Sequence, residues 1–267
     1  MRYIRPVIAL AAAAFLSAVG TVAATPAYAA AENYVALGDS YASGTGAGSY
    51  SGGDCYRSAN AYAQRWADEN APASFTFAAC SGATTEDVRS SQLSALSADT
   101  TLVSISIGGN DAGFADVMIT CTTSSDSSCV SRVDEAKEFA RSELPGRLDA
   151  LYGEIRAAAP NARVVVMGYP RVLTSDSCWW FSSAKREAVN SAADELSGII
   201  ADRAAAAGFT YVDVRDAFAG HEACASDDWI NGIVWSNLVE SYHPNAAGHA
   251  NAYYPAFASA VTQAAVA

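Results

Sequence analysis

Short apolar runs recur along the chain at Tyr34–Leu37, Phe75–Ala79, Leu102–Ile107, Val164–Met167 and Tyr211–Val214. They are too short for buried helices and rich in β-branched and aromatic residues, so they predict strands. Longer stretches with helix-forming composition lie between and after them: Asn60–Asn70, Val133–Ala159, Ser182–Ala207 and Ala246–Ala265. In the third, Val189, Leu196, Ile199 and Ile200 recur at broadly helical spacing. In the last, Tyr253, Tyr254, Phe257 and Val261 supply a packing face. Strands alternating with helices predict a parallel sheet with right-handed crossovers, covered on both faces. The expected fold is a single doubly wound, three-layer α/β/α domain, with its functional site at the carboxyl ends of the strands. Two stretches fall outside this alternation. The Gly/Ser-rich Ser43–Asp54 and the polar run Thr120–Cys129 both read as surface loops. No internal repeat or domain linker interrupts the remainder.

The N-terminus follows a different rule. Arg2 and Arg5 precede an apolar run from Val7 to Val19, and Ala27-Tyr28-Ala29 places small residues where an export signal is cleaved. Residues 1–29 are therefore expected to be a signal peptide, with residues 30–267 forming a secreted catalytic domain. The apolar run is too short to imply stable membrane insertion. Removing residues 1–29 takes away two arginines and no acid, moving the formal charge from −12 to −14. Such an acidic surface argues against a nucleic-acid partner. All six cysteines lie beyond this segment, and an even number in an exported chain predicts disulfides. Six cysteines allow 15 pairings. The sequential set, Cys55–Cys80, Cys121–Cys129 and Cys178–Cys224, needs only local loops and is the expected one. No Cys-x-x-Cys and no His-Glu-x-x-His is present, so no metal is expected.

Three motifs follow strands. Gly38-Asp39-Ser40-Tyr41 closes the first, where a serine hydroxyl stands beside backbone N–H groups able to face an oxyanion. Gly-Asp-Ser is also an ordinary turn tripeptide. Cys80-Ser81-Gly82 ends the second strand, and Gly82 is either a turn glycine or a backbone donor. Gly108-Gly109-Asn110-Asp111 ends the third, and Asn110 suits equally an Asx turn and an amide aimed at a reacting centre. Near the C-terminus, His243 precedes Pro244, which keeps it in an extended loop suited to a general base. His249 reads as structural within the last helix, and His221 as a loop residue.

These blocks, Gly38-Asp39-Ser40, Gly82, Gly108-x-Asn110-Asp111 and His243-Pro244, stand in the order found in the SGNH, or GDSL, hydrolases. The chain resembles that family over essentially all of residues 30–267, and within it the secreted lipases and phospholipases of streptomycetes. The resemblance implies a flavodoxin-like sheet of about five parallel strands. It also implies a serine ester hydrolase with Ser40 as nucleophile, His243 as base, and an oxyanion hole formed by the Ser40 and Gly82 amides and the Asn110 side chain. No cofactor enters that chemistry. The family's usual Asp three residues before the histidine is Glu240 here. Either Glu240 orients the imidazole or the backbone carbonyl of Ser241 does, leaving a Ser–His dyad, and the carbonyl is the favoured expectation.

The resemblance and the expected export imply a lipase or esterase that cleaves lipid carboxylic esters through an acyl-enzyme on Ser40, with phospholipase A1 or carbohydrate acetylesterase as the alternative and a monomer expected. A non-enzymatic ligand-binding module is the alternative from another class. Gly44-x-Gly46-x-Gly48 gives it little support, since it matches neither familiar phosphate-binding glycine pattern. No Gly-x-Ser-x-Gly elbow occurs, which disfavours the α/β-hydrolase fold. Trp179, Trp180, Phe181, Trp229 and Trp235 are candidates for an acyl or interface site, and loop and core packing is the expectation for them.

Overall fold

The structure, a computed structural model, describes residues 31–51 and 53–264 together with Met1 and Tyr3. The chain divides into units 1–30 and 31–267, and the account below concerns the second. The expected signal peptide lies outside the described residues, apart from Met1 and Tyr3.

Five strands form one sheet: β1 (Asn33–Gly38), β2 (Ser74–Phe77), β3 (Leu102–Ser106), β4 (Arg163–Met167) and β5 (Thr210–Val212). All pairings are parallel, in the order β2-β1-β3-β4-β5. The order reverses direction at β1, so the crevice at the carboxyl ends of β1 and β3 is the switch point where such folds place their sites. Burial explains the composition. β3 is buried throughout and β1 and β4 nearly so, whereas the edge strand β2 alternates toward solvent and β5 is half-exposed.

Besides shorter helical turns such as Thr85–Asp87 and Ala246–Gly248, the helices that build the layers and the site are α1 (Ser40–Ser43), α2 (Tyr62–Asn70), α3 (Phe114–Thr123), α4 (Asp126–Ser142), α5 (Leu144–Ala158), α6 (Ser183–Ala206) and α7 (Tyr254–Ala264). Tyr34 of β1 packs against Trp66 of α2 and Phe257 of α7, which share one layer. Helices α4, α5 and α6 pack together and supply the other.

Two expectations need correction. The polar run Thr120–Cys129 is not a loop: Thr120–Thr123 ends α3, Asp126–Cys129 begins α4, and only Ser124 and Ser125 lie between them. Polar residues are tolerated here because Ser125 caps α4, accepting from the Ser128 N–H, while Val117, Met118 and Cys121 provide the buried face of α3. Disulfide Cys121–Cys129 fastens the two helices across this turn. The stretch Val133–Ala159 is likewise two helices, α4 and α5, with the break at Glu143. Pro145 lies in the first turn of α5, where its missing N–H is not needed. The remaining disulfides are Cys55–Cys80 and Cys178–Cys224. Among the described residues, no helix is long and apolar enough to cross a membrane.

At the switch point the last residue of β1, Gly38, has φ +120°. A Cβ there would collide with the Ser106 carbonyl of β3. The Asp39 N–H donates to that same carbonyl at 3.0 Å. Gln92 closes the other side, accepting from the Gly38 N–H at 2.8 Å and donating to the Gly38 carbonyl at 2.9 Å. Gly38→Ala is expected to cost about 3 kcal/mol or more, since it combines a disfavoured φ with a backbone collision. Urea unfolding of the variant would measure it, and a loss under about 1 kcal/mol would contradict this account.

Candidate active site

Asp39 turns the chain out of β1 into α1. Its carboxylate caps the single turn, accepting from the Tyr41 N–H at 3.0 Å, and its other oxygen accepts from the Tyr169 hydroxyl at 2.5 Å. Burial pushes its pKa up to about 7 against the pull of these donors. Ser40 then opens the turn with its hydroxyl toward His243, at 2.8 Å from Nε2.

His243 is held by backbone. Its carbonyl accepts from the Asn231 N–H at 2.9 Å, and the Tyr242 N–H donates to the Asn231 carbonyl at 3.0 Å. Tyr242 itself has φ +60°, the turn that swings the next residue inward, and its carbonyl accepts from the Tyr41 hydroxyl at 2.8 Å. Gly46 lies so close that a Cβ would press on the His243 Cβ and the Asn231 amide. That contact explains one glycine of the Gly44-x-Gly46-x-Gly48 run as a packing requirement.

The second ring nitrogen of His243, Nδ1, lies 2.9 Å from the Ser241 carbonyl oxygen. A carbonyl oxygen only accepts, so Nδ1 carries the proton and Nε2 is left with a lone pair facing the Ser40 hydroxyl. Glu240 is turned elsewhere: its carboxylate accepts from the Asn237 side chain at 3.0 Å, and its backbone carbonyl accepts from Asn231. Burial lowers the His243 pKa to about 4, with the Ser241 carbonyl opposing that shift.

Asn110 stands at the mouth of the cleft beside Ser40. One hydrogen of its amide is fixed on the Ala83 carbonyl at 2.9 Å, which orients the group and leaves the second hydrogen available. Gly82, φ +80°, lies in the turn between Cys80 and Ala83 with open space before its Cα. Among the described residues, neither the Ser40 N–H nor the Gly82 N–H has a protein acceptor. Asp111 binds the two strand-end loops together, accepting from the Thr85 N–H at 2.9 Å and the Thr85 hydroxyl at 2.7 Å. The cleft beside Ser40 is walled chiefly by apolar side chains, among them Phe114, Val117, Met118, Val172, Val189 and Leu196, with Lys137 and Glu195 also on its lining.

Over residues 36–250 the chain matches the model of the GDSL-like Lipase/Acylhydrolase family. The chain belongs to that family. Lipase 1 of Streptomyces coelicolor is 52% identical over 199 residues, 74% of each chain. Among solved structures, phospholipase A1 from Streptomyces albidoflavus superposes with a TM-score of 0.84 at 51% identity, covering 86% of this chain and 99% of that one. The extracellular lipase from Streptomyces rimosus gives 0.83 at 45% identity, with the same coverage.

The GDSL-family blocks therefore meet in one place: Ser40 and Asn110 line the cleft, His243 reaches Ser40, and Gly82 lies in the turn beside Ala83, whose carbonyl holds Asn110. His249 and His221 lie apart. The buried His249 ring accepts from the Tyr62 N–H at 3.3 Å, and His221 stacks on Trp229 with ring centroids 3.6 Å apart. The aromatic candidates divide differently from expectation. Phe181 is buried, but Trp179, Trp180 and Trp235 are exposed, and none of the five lines the apolar cleft. Its walls come instead from α3, α4 and α6, the first of which sequence composition concealed. Tyr169, Asn231 and Tyr41 also carry the site without a sequence signal beyond their proximity to strand ends or motifs. Tyr169 joins Asp39 to the Asn110 loop by accepting from the Gly109 N–H at 3.2 Å.

A pH titration of the His243 ring by NMR is expected to show the neutral Nδ1–H tautomer persisting down to about pH 4. A midpoint near 6.5 would contradict the burial described. Because the buried ring takes up its proton less readily than an exposed one, its contribution to stability is complete above about pH 6.5 and is lost as pH falls toward 4.

Proposed function

We propose that the protein is a secreted hydrolase of lipid carboxylic esters, working through an acyl-enzyme on Ser40. The observation that carries this reading is the 2.8 Å contact between Ser40 Oγ and a lone pair of His243, set at the mouth of an apolar cleft. Ser40 Oγ attacks the ester carbonyl while His243 Nε2 takes its proton. The tetrahedral oxyanion is met by the Ser40 and Gly82 N–H groups and the free hydrogen of Asn110. As the carbon–oxygen bond of the alcohol breaks, Nε2 returns the proton to the departing oxygen. Water then repeats the sequence on the acyl-enzyme, releasing the acid and restoring Ser40. The imidazolium formed in each half-reaction is stabilised by the Ser241 carbonyl dipole, so the machinery is a Ser–His dyad in which Glu240 has no direct part.

The cleft walls favour an alkyl chain over acetate, because an acetyl group would leave most of that apolar surface unused. Similarity to both a lipase and a phospholipase A1 supports glycerolipid esters of either kind. Export accords with Arg2, Arg5, the apolar run after them, and three disulfides.

Hydrolysis of p-nitrophenyl acetate, octanoate and palmitate, with acyl release from phosphatidylcholine in parallel, tests the reading. Medium or long chains are expected to be preferred, with Ser40→Ala lowering kcat by about 10⁴-fold or more and Asn110→Ala by roughly a hundredfold. Preference for acetate would move the protein to the carbohydrate acetylesterases. Equal, background-level rates for wild type and Ser40→Ala would leave the binding-module alternative. Glu240→Ala is expected to keep kcat within about tenfold of wild type, and a loss matching that of Ser40→Ala would overturn the dyad.

A further inference from the structure

Large apolar side chains stand in solvent on the loops around His243: Trp179 is 82% exposed, Trp235 71%, Leu238 63%, Val239 45% and Trp180 43%. The three indoles form one patch, with ring centroids 3.8 Å apart for Trp179 and Trp180 and 6.4 Å apart for Trp180 and Trp235. Contiguous exposed aromatic surface of this kind is uncommon on a soluble protein and marks a contact face.

The two loops that carry the patch are fixed to the active site. Disulfide Cys178–Cys224 anchors the first, and Phe181, next to Trp180, packs its ring on Tyr242 at 5.9 Å. In the second, the Val234 N–H donates to the Ser241 hydroxyl at 3.0 Å, and the Ser241 N–H donates back to the Leu238 carbonyl at 3.1 Å. Trp235, Leu238 and Val239 thus sit on a loop closed upon the residue whose carbonyl holds the His243 ring.

We propose that Trp179, Trp180, Trp235, Leu238 and Val239 form a docking face for a zwitterionic lipid surface, holding Ser40 and His243 at the lipid–water boundary. Indole suits that boundary, since its ring is apolar and its N–H finds polar partners at headgroup depth. Charge selects the lipid. The chain carries a net −12, and −14 without residues 1–29; Asp228 shares a hollow with Trp179, Trp180 and Arg186, whose guanidinium is engaged by the Phe181 and Ser175 carbonyls, and Asp176 and Asp227 are exposed on the adjoining segments. An anionic membrane would be repelled, whereas phosphatidylcholine presents no net charge. The proposal rests on the lipid-ester reading for its link to catalysis, but the docking step is measurable without turnover.

Flotation with vesicles of pure phosphatidylcholine, and of phosphatidylcholine with one-third phosphatidylglycerol, separates the two. The full chain carrying Ser40→Ala, which leaves the lipid intact, is expected to bind the zwitterionic vesicles and to bind the anionic ones more weakly at low salt. Adding Trp179→Ala and Trp235→Ala is expected to weaken zwitterionic binding about tenfold or more, the scale for losing two partly inserted aromatic faces. With Ser40 intact, the same two substitutions are expected to leave hydrolysis of water-soluble p-nitrophenyl butyrate within about twofold, since neither side chain enters the cleft. Undiminished vesicle binding by the double variant would overturn the proposal. So would stronger binding to anionic vesicles, or a dimer in sedimentation velocity that the two substitutions abolish, which would make the patch a contact between copies. Parallel loss of butyrate hydrolysis would also overturn it, by showing that these residues act through the site. If the parent bound vesicles but hydrolysed no ester, the catalytic reading would fail while docking stood.

Discussion

The close approach of Gly38 to the Ser106 carbonyl is the constraint on which the rest of the site depends. With no Cβ in the way, β1 can end against the backbone of β3 at a positive φ and turn at once into α1. That turn buries the Asp39 carboxyl as a cap and presents Ser40 at the switch point of the sheet. Gln92, from the β2–β3 connection, holds the same glycine from the opposite side with both ends of its amide. Serine placement is thus a backbone matter, decided by one residue that has no side chain.

Electrostatics at His243 follow from similar economy. A buried imidazole is pushed toward its neutral form, the form that the proposed mechanism requires for taking a proton from serine. In the mechanism proposed, the same burial would oppose the imidazolium that proton transfer creates, and the Ser241 carbonyl would supply a dipole where a carboxylate would supply a charge. A full negative charge would itself need desolvation, a cost of several kcal/mol that a carbonyl avoids. Asp39, the carboxyl that the site does bury, is satisfied by Tyr169 and the α1 backbone and does not reach His243 among its hydrogen-bond partners.

Much of the architecture was legible because buried parallel strands leave continuous apolar runs, as in Val164–Met167, and because motif serines, glycines and histidines sit where those runs stop. Helix α3 was not legible: only Val117, Met118 and Cys121 face inward, and the Ser/Thr residues after them resemble a loop until Ser125 is seen as a cap. Glu143 divides two helices that share a single helical composition. At the site, Gln92, Tyr169 and Asn231 act through single hydrogen bonds to backbone far away in sequence, and no local spacing encodes such a partner. The choice between Glu240 and the Ser241 carbonyl depended on where a side chain turns, which residue identity leaves open. The exposed tryptophans were misjudged because an apolar residue type does not reveal whether its loop folds inward.

Ser40 and His243, the nucleophile and base of the mechanism proposed above, are 203 positions apart. At ribosomal speeds of roughly 5–20 residues per second, Ser40 is therefore made about 10 to 40 s before its partner exists. On the mechanism proposed, an unfinished chain has no base to draw the serine proton. On that mechanism the Ser40 hydroxyl stays unactivated until the segment carrying His243 has been made and has folded back onto the sheet.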